Sequence, residues 1–244
     1  MRDLAERLAS ELVERGALAV AITGSHARGD ATKASDLDLM AVGQGPAYLL
    51  EVREGVLVAQ SWASEQEHRA RLASPGHVGS VVPGWREALI LHDPDGIAAR
   101  LQREAIDWSW DPHAGRCDEW AAEQVAGLAE EVRKLASALG RDRELMAAVQ
   151  RDLLALRLAP ILAVRLRLLY GSENALWERV GELMGAEWRE AQGAAFSTGG
   201  QGLGESCAAA LRLYGLAAGR VAPLLDDRQA AVVETALAAA ARFA

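Results

Sequence analysis

The sequence has little of what usually announces a special chemistry. Cysteine occurs twice, as Cys117 and Cys207, far apart and without the close pairing of a zinc site or a disulfide framework. No run of apolar residues is long enough to span a membrane, and the charged start MRDLAERLASELVERG lacks the pattern of a secretory signal. The histidines at 26, 68, 77, 92 and 113 are scattered without ligand spacing. Lysine is nearly missing, with only Lys33 and Lys134, which reads as compositional bias in an arginine-rich chain. The expected compartment is the cytoplasm.

Positive charge is also in the minority. The chain carries 26 Lys and Arg against 34 Asp and Glu, a net charge of −8. Residues 1–112 hold 11 basic and 17 acidic side chains, and residues 113–244 hold 15 and 17. A surface that grips a polyphosphate backbone needs cations to displace counterions. Long nucleic acid is therefore not an expected partner, and neither is a membrane. Half of the 244 residues are apolar and a quarter charged, the composition of an ordinary globular chain with room for one large domain or two modest ones.

What is present divides near residue 112. The first part reads as mixed α/β. Leu4, Leu8 and Leu12 recur at helical spacing before Gly16, and "ALAVAIT" is short, apolar and bounded by glycine, as a buried strand is. "DLDLMAV" alternates as a second strand, "GVLVAQSWA" gives a third and "EALILHD" a weaker fourth, closed by the turn Asp93-Pro94-Asp95-Gly96. Helices are expected near Ser64, with Glu67 at a capping-box position, and near Ile97. Beyond Pro112 strand signals vanish. Helical periodicity over 118–139, 142–171, 174–191, 205–219 and 226–243 predicts an antiparallel bundle, with a kink at Pro160. The fold class expected is α+β: a domain over 1–112 with a small mixed sheet and flanking helices, then an all-α bundle over 113–244.

The stretch "TGSHARGDATKASDLDLMAV" (residues 23–42) carries the chemistry. Asp36 and Asp38 are two apart, so on a strand both carboxylates share one face while Leu37 and Leu39 share the other. Like charges side by side repel, and a cation belongs between them. Hard oxygen donors fixed on a strand suit magnesium. Upstream, Gly24 permits close backbone approach, Ser25 offers a hydroxyl and Arg28 a positive charge, a set that can hold phosphate oxygens.

The stretch resembles the DNA polymerase β-like nucleotidyltransferase superfamily, whose signature is an apolar strand, Gly-Ser or Gly-Gly, about ten residues, then carboxylate-x-carboxylate on the next strand. The matching residues are Gly24, Ser25, Arg28, Ser35, Asp36 and Asp38, over about twenty residues. The wording is close to the small-molecule branch, and the helical second half is similar in kind to aminoglycoside and lincosamide nucleotidyltransferases. The resemblance implies Mg²⁺ held by Asp36 and Asp38 (two ions in a complete site), with Gly24, Ser25 and Arg28 at the phosphates of a nucleoside triphosphate. It implies transfer of a nucleoside monophosphate to a small-molecule hydroxyl, by a monomer or a homodimer. The acid balance favours a small acceptor, and a cationic one would suit its sign.

One departure stands out. The superfamily commonly has a third carboxylate on a later strand, yet "GVLVAQSWA" offers Ala59 and Gln60 there. Glu54, Glu65, Glu67 or an acid of the bundle remain as substitutes, with Glu67 equally suited to cap a helix and Glu65 to be a solvated charge. A missing third acid weakens base activation of the acceptor, and the alternative reading is a catalytically degenerate nucleotide-binding or partner-binding protein of the same fold. Other features favour plain roles: "GGQGLG" follows a helix and reads as a flexible loop, and His26 as a surface histidine at a helix end. Trp108 and Trp110 read as core packing, and Arg157 and Arg165 as a solvated face.

Overall fold

The computed structural model describes residues 1–243 and divides into two compact units, one covering Met1–Ser109 and the other starting at Trp110. Ala244, the end of the expected bundle, lies outside the described residues.

In the first unit α1 (Arg2–Glu14) leads into β1 (Ala19–Thr23), the single turn α2 (Gly24–Arg28) and β2 (Leu37–Val42). A hairpin follows, β3 (Tyr48–Arg53) and β4 (Val56–Ala63), then α3 (Glu65–Leu72), α4 (Pro75–Glu87), β5 (Leu89–His92) and α5 (Ile97–Ile106). The strands form one sheet in the order β3-β4-β2-β1-β5, antiparallel except for the parallel pair β2 and β4. Leu4, Leu8 and Leu12 of α1 bury against Val20, Ile22, Leu37, Leu39, Val58 and Trp62. Removal of each such leucine from water contributes about 1.5–3 kcal/mol. Because Leu37 and Leu39 face α1, the two-residue period turns Asp38 and Met40 to the other face of the sheet.

Two elements differ from expectation. β3 was not foreseen: Tyr48, Leu50 and Val52 are exposed and Leu49 half-buried on an edge strand, so the usual alternation of apolar-in and polar-out is lost. Arg53 ties this strand to α1 through two hydrogen bonds to Glu11, at 2.6 and 2.8 Å. α4 was not foreseen either, since "PGHVGSVVPGWRE" is rich in glycine and proline; burial of Val78, Val82 and Trp85 overrides that poor propensity.

The second unit is helical, with α6 (Ala114–Gly127), α7 (Ala129–Leu139), α8 (Glu144–Arg165), α9 (Glu173–Met184), α10 (Ala186–Ala195), α11 (Leu203–Val221) and α12 (Asp227–Ala240). Together with the mixed sheet this makes the α+β class expected. The long α8 runs down the core, with Leu154, Leu158 and Leu162 buried against α6, α7 and α11. Two expected helices are in fact pairs. The 118–139 segment breaks at Leu128, and 174–191 breaks at Gly185, whose φ of +95° a side chain would resist. α8 continues through Pro160 and ends at Arg165, well short of residue 171.

Candidate active site

β1 is buried along its length and delivers Thr23 opposite Asp38 in the antiparallel register. There the chain turns sharply. Gly24 adopts φ +66°, a left-handed conformation natural to glycine, and α2 is closed five residues later by Gly29 at φ +81°. The Ser25 carbonyl accepts hydrogen bonds from the Gly29 and Asp30 N–H groups at 3.0 and 3.1 Å, which tightens the turn. Gly24 is needed for a second reason: a Cβ there would collide with Asp38 Oδ2 and stand 3.0 Å from its Cγ. The Asp38 carboxylate thus lies against bare backbone.

The loop over 29–36 returns the chain to the sheet. Ser35 braces it, its hydroxyl accepting the Thr32 N–H at 2.9 Å while its own N–H donates to the Thr32 carbonyl at 3.2 Å. Asp36 ends that loop and Asp38 is the second residue of β2. Arg28 Nε donates to Asp30 Oδ2 at 3.1 Å, and its guanidinium also acts on Asp38. Burial, and then the neighbouring Asp36 charge, push the Asp38 carboxyl up from 3.8 to about 6, with Arg28 pulling the other way. The single arginine does not offset the desolvation, so the pair is short of positive charge.

Among the described residues no third carboxylate joins Asp36 and Asp38. Ala59 sits beside Asp38 on the parallel neighbour β4, with Leu50 next to it on β3. Gln60 stands beside Leu39, on the α1 face, donating to Glu51 Oε1 at 2.6 Å and accepting from Arg15 at 3.4 Å. Glu67 is the capping-box acid of α3: its carboxylate accepts the Ser64 N–H at 2.7 Å, and Ser64 Oγ accepts the Glu67 N–H at 3.2 Å. Glu65 pairs with Arg69 at 2.8 Å, and Glu54 pairs with Arg7 at the hairpin turn. Among the described residues no three Asp, Glu, His or Cys side chains come together as a metal-holding group.

His26 departs from its expected surface role. Its Nε2 is buried and has no hydrogen-bond partner among the described residues, on the residue two after Gly24. Its position right after Gly-Ser was the available signal; its burial depends on packing that local sequence does not reveal. The remaining features lie away from the pair. The glycines over 199–204 form a loop into α11, where the Gly199 N–H donates to Gln201 and the Gly202 N–H to Glu205, so two of the amides a phosphate would need are engaged. Trp108 is half-buried, not in the core, and donates to the Leu72 carbonyl at 2.8 Å; Trp110, also half-buried, lies under the Arg167 guanidinium at 5.5 Å. Arg165 pairs with Asp118 at 3.6 Å, whereas Arg157 is exposed.

Residues 4–90 match the nucleotidyltransferase domain family. The match lies within the first unit, and both the Gly24–Ser25 turn and the Asp36–Asp38 pair fall inside the matched residues. A crystal structure of a nucleotidyltransferase-like protein from Exiguobacterium sibiricum is similar in fold, with a TM-score of 0.53 at 12% identity over 100% of this chain and 78% of that one. No curated protein matches the chain.

Proposed function

We propose that the nucleotidyltransferase domain moves a nucleoside monophosphate from a nucleoside triphosphate to the hydroxyl of a small molecule, with Asp36 and Asp38 as its metal-binding carboxylates. The observation that carries this reading is the seating of a desolvated Asp38 on the Gly24 backbone beside Asp36. The donor set fits a divalent cation: two hard carboxylates close enough for the Asp36 charge to act on Asp38, and too little positive charge to compensate them. Asp36 and Asp38 would hold Mg²⁺, which when bound neutralises charge that develops on the phosphoryl oxygens. With two carboxylates and no third acid grouped with them among the described residues, the set suits one ion better than the two of a complete site.

The chain's own residues do the rest. Gly24 presents backbone without a side chain, so phosphate oxygens approach closely. Ser25 brings a hydroxyl and Arg28 a cation to the same turn. The acceptor oxygen bonds to the α-phosphorus, the bond from that phosphorus to the bridging oxygen breaks, and pyrophosphate leaves with its electron pair. The acceptor's proton leaves to solvent water, since among the described residues no third carboxylate joins the pair to take it. The net charge of −8 supports a small acceptor over a long polyanion.

That missing base favours a second reading, a nucleotide-binding or partner-binding protein that has lost turnover. Incubation with each of the four common triphosphates labelled at the α-phosphate, Mg²⁺ and a panel of hydroxyl acceptors separates the two. Label on an acceptor supports transfer; nucleotide binding without transfer supports the second reading; neither outcome defeats both.

A further inference from the structure

The second unit holds an unassigned groove of about 970 Å³ between α7, α12 and the start of α8. It continues along α7 and α12 into a second hollow of about 510 Å³, and Arg133 and Arg141 line both. Its charge runs against that of the chain. Arg133, Arg141 and Arg143 line the larger part and Arg242 the smaller, and among the described residues none of the four has a carboxylate in ion-pair distance. The one carboxylate in its wall, Glu130, is already neutralised by Lys134 at 2.7 Å. About half of the arginines elsewhere do pair with acids among the described residues, as Arg53 does with Glu11, Arg69 with Glu104 and Arg167 with Asp118. In a chain with more acids than bases, four guanidinium groups gathered round one hollow with no acid partner among the described residues favour a negatively charged ligand.

The floor is of another kind. Alanines, Val232 and Met146 form it, and those last two are 40% and 43% exposed. Inorganic phosphate would leave this apolar surface wet. A nucleic acid would find no aromatic ring in the larger part to stack on. The volume lies in the range of small-ligand sites, which are mostly apolar with a few placed charges. We propose that this groove binds an organic anion with an apolar body, an alkyl or acyl carboxylate or phosphate monoester, whose head meets Arg133 and Arg141 and whose tail covers Val232 and Met146. The proposal concerns the helical unit alone and stands or falls separately from nucleotide transfer.

Calorimetric titration of the full chain tests it, with dodecyl phosphate and dodecanoate as probes below their micelle concentrations and with inorganic phosphate and dodecanol as controls. Saturable 1:1 binding of at least one of the two anions is expected, with each control about tenfold weaker or worse, since both head and tail contribute. Arg133→Ala with Arg141→Ala, and separately Val232→Asp, alter exposed side chains and should each weaken that binding by about tenfold. Tight binding of dodecyl phosphate alone identifies a phosphate head, and equal binding of dodecanoate a carboxylate; either supports the site. No saturable binding of either anion, binding untouched by both sets of substitutions, inorganic phosphate binding as tightly as its dodecyl ester, or displacement by a short oligonucleotide would overturn it.

Discussion

The Asp38 carboxylate occupies the space that a side chain on Gly24 would need. Two segments joined by a loop are therefore shaped for each other, a left-handed glycine after one strand and an acid near the start of the next. Gly24→Ala should be costly on both counts, since alanine resists φ +66° and its methyl meets Asp38 Oδ2. A loss of about 2–4 kcal/mol is expected, read from the midpoint of urea denaturation. An unchanged midpoint would mean that the close approach is absent in solution.

Asp38 predicts a pH dependence of definite sign. Its folded-state carboxyl lies near 6, above the ordinary 3.8, so ionisation disfavours the fold: the cost is absent below about pH 4, grows as pH rises and is complete above about pH 6. Asp38→Asn removes it. After discounting for partial exposure, the variant should be about 1–2 kcal/mol more stable than the parent at pH 7.5 without divalent cations, and the advantage should vanish at pH 4. Denaturation curves at the two pH values check this; equal stability at both, or a larger advantage at pH 4, would contradict it.

Leu39 provides the contrast one residue on. It faces α1 and is 1% exposed, so Leu39→Ala should cost about 2–5 kcal/mol through a cavity. Destabilisation at 39 beside stabilisation at 38 is the signature of the two-residue period. Similar effects at both positions would refute the assignment of faces.

Glu67 is a cap, so its substitution should spare nucleotide binding and any transfer. Ser64→Ala should cost about 1 kcal/mol and likewise leave the site untouched. A hundredfold loss of activity in Glu67→Gln with unchanged nucleotide affinity would instead make it the third acid.

How far the sequence revealed this molecule depends on how local each signal is. β1, β2 and β4 were legible because apolar runs and alternation follow directly from burial on a sheet. The outward turn of Asp38 and the bend at Gly24 were legible because strand period and turn conformation act over a few residues, whereas Asp36, expected on the strand, ends the loop before β2. The Ser64–Glu67 cap was written in four residues. β3 was missed because an edge strand with exposed Tyr48 and Val52 inverts the usual pattern, although Glu54-Gly55, both at positive φ, was a readable hairpin turn. The break at Leu128 had Gly127 beside it as a signal, outweighed by helical periodicity that runs on through both halves. Burial of His26 Nε2 and the arginine groove were beyond reach for one reason: each depends on segments that meet only after folding, Arg133 and Arg242 being on α7 and at the end of α12.

The central claim, that Asp36 and Asp38 serve a metal-dependent nucleotide site, is tested most directly by heat unfolding of the parent and of the Asp36→Asn/Asp38→Asn double variant, each with and without Mg²⁺ and each of the four common triphosphates. A ligand that binds only the native state stabilises it by about 2.7 kcal/mol at a hundred times its Kd. The account predicts that at least one triphosphate raises the melting temperature of the parent in Mg²⁺ only, and that the double variant, folded and no less stable, shows no such rise. No shift in the parent with any triphosphate, or the same shift in the double variant, would contradict it.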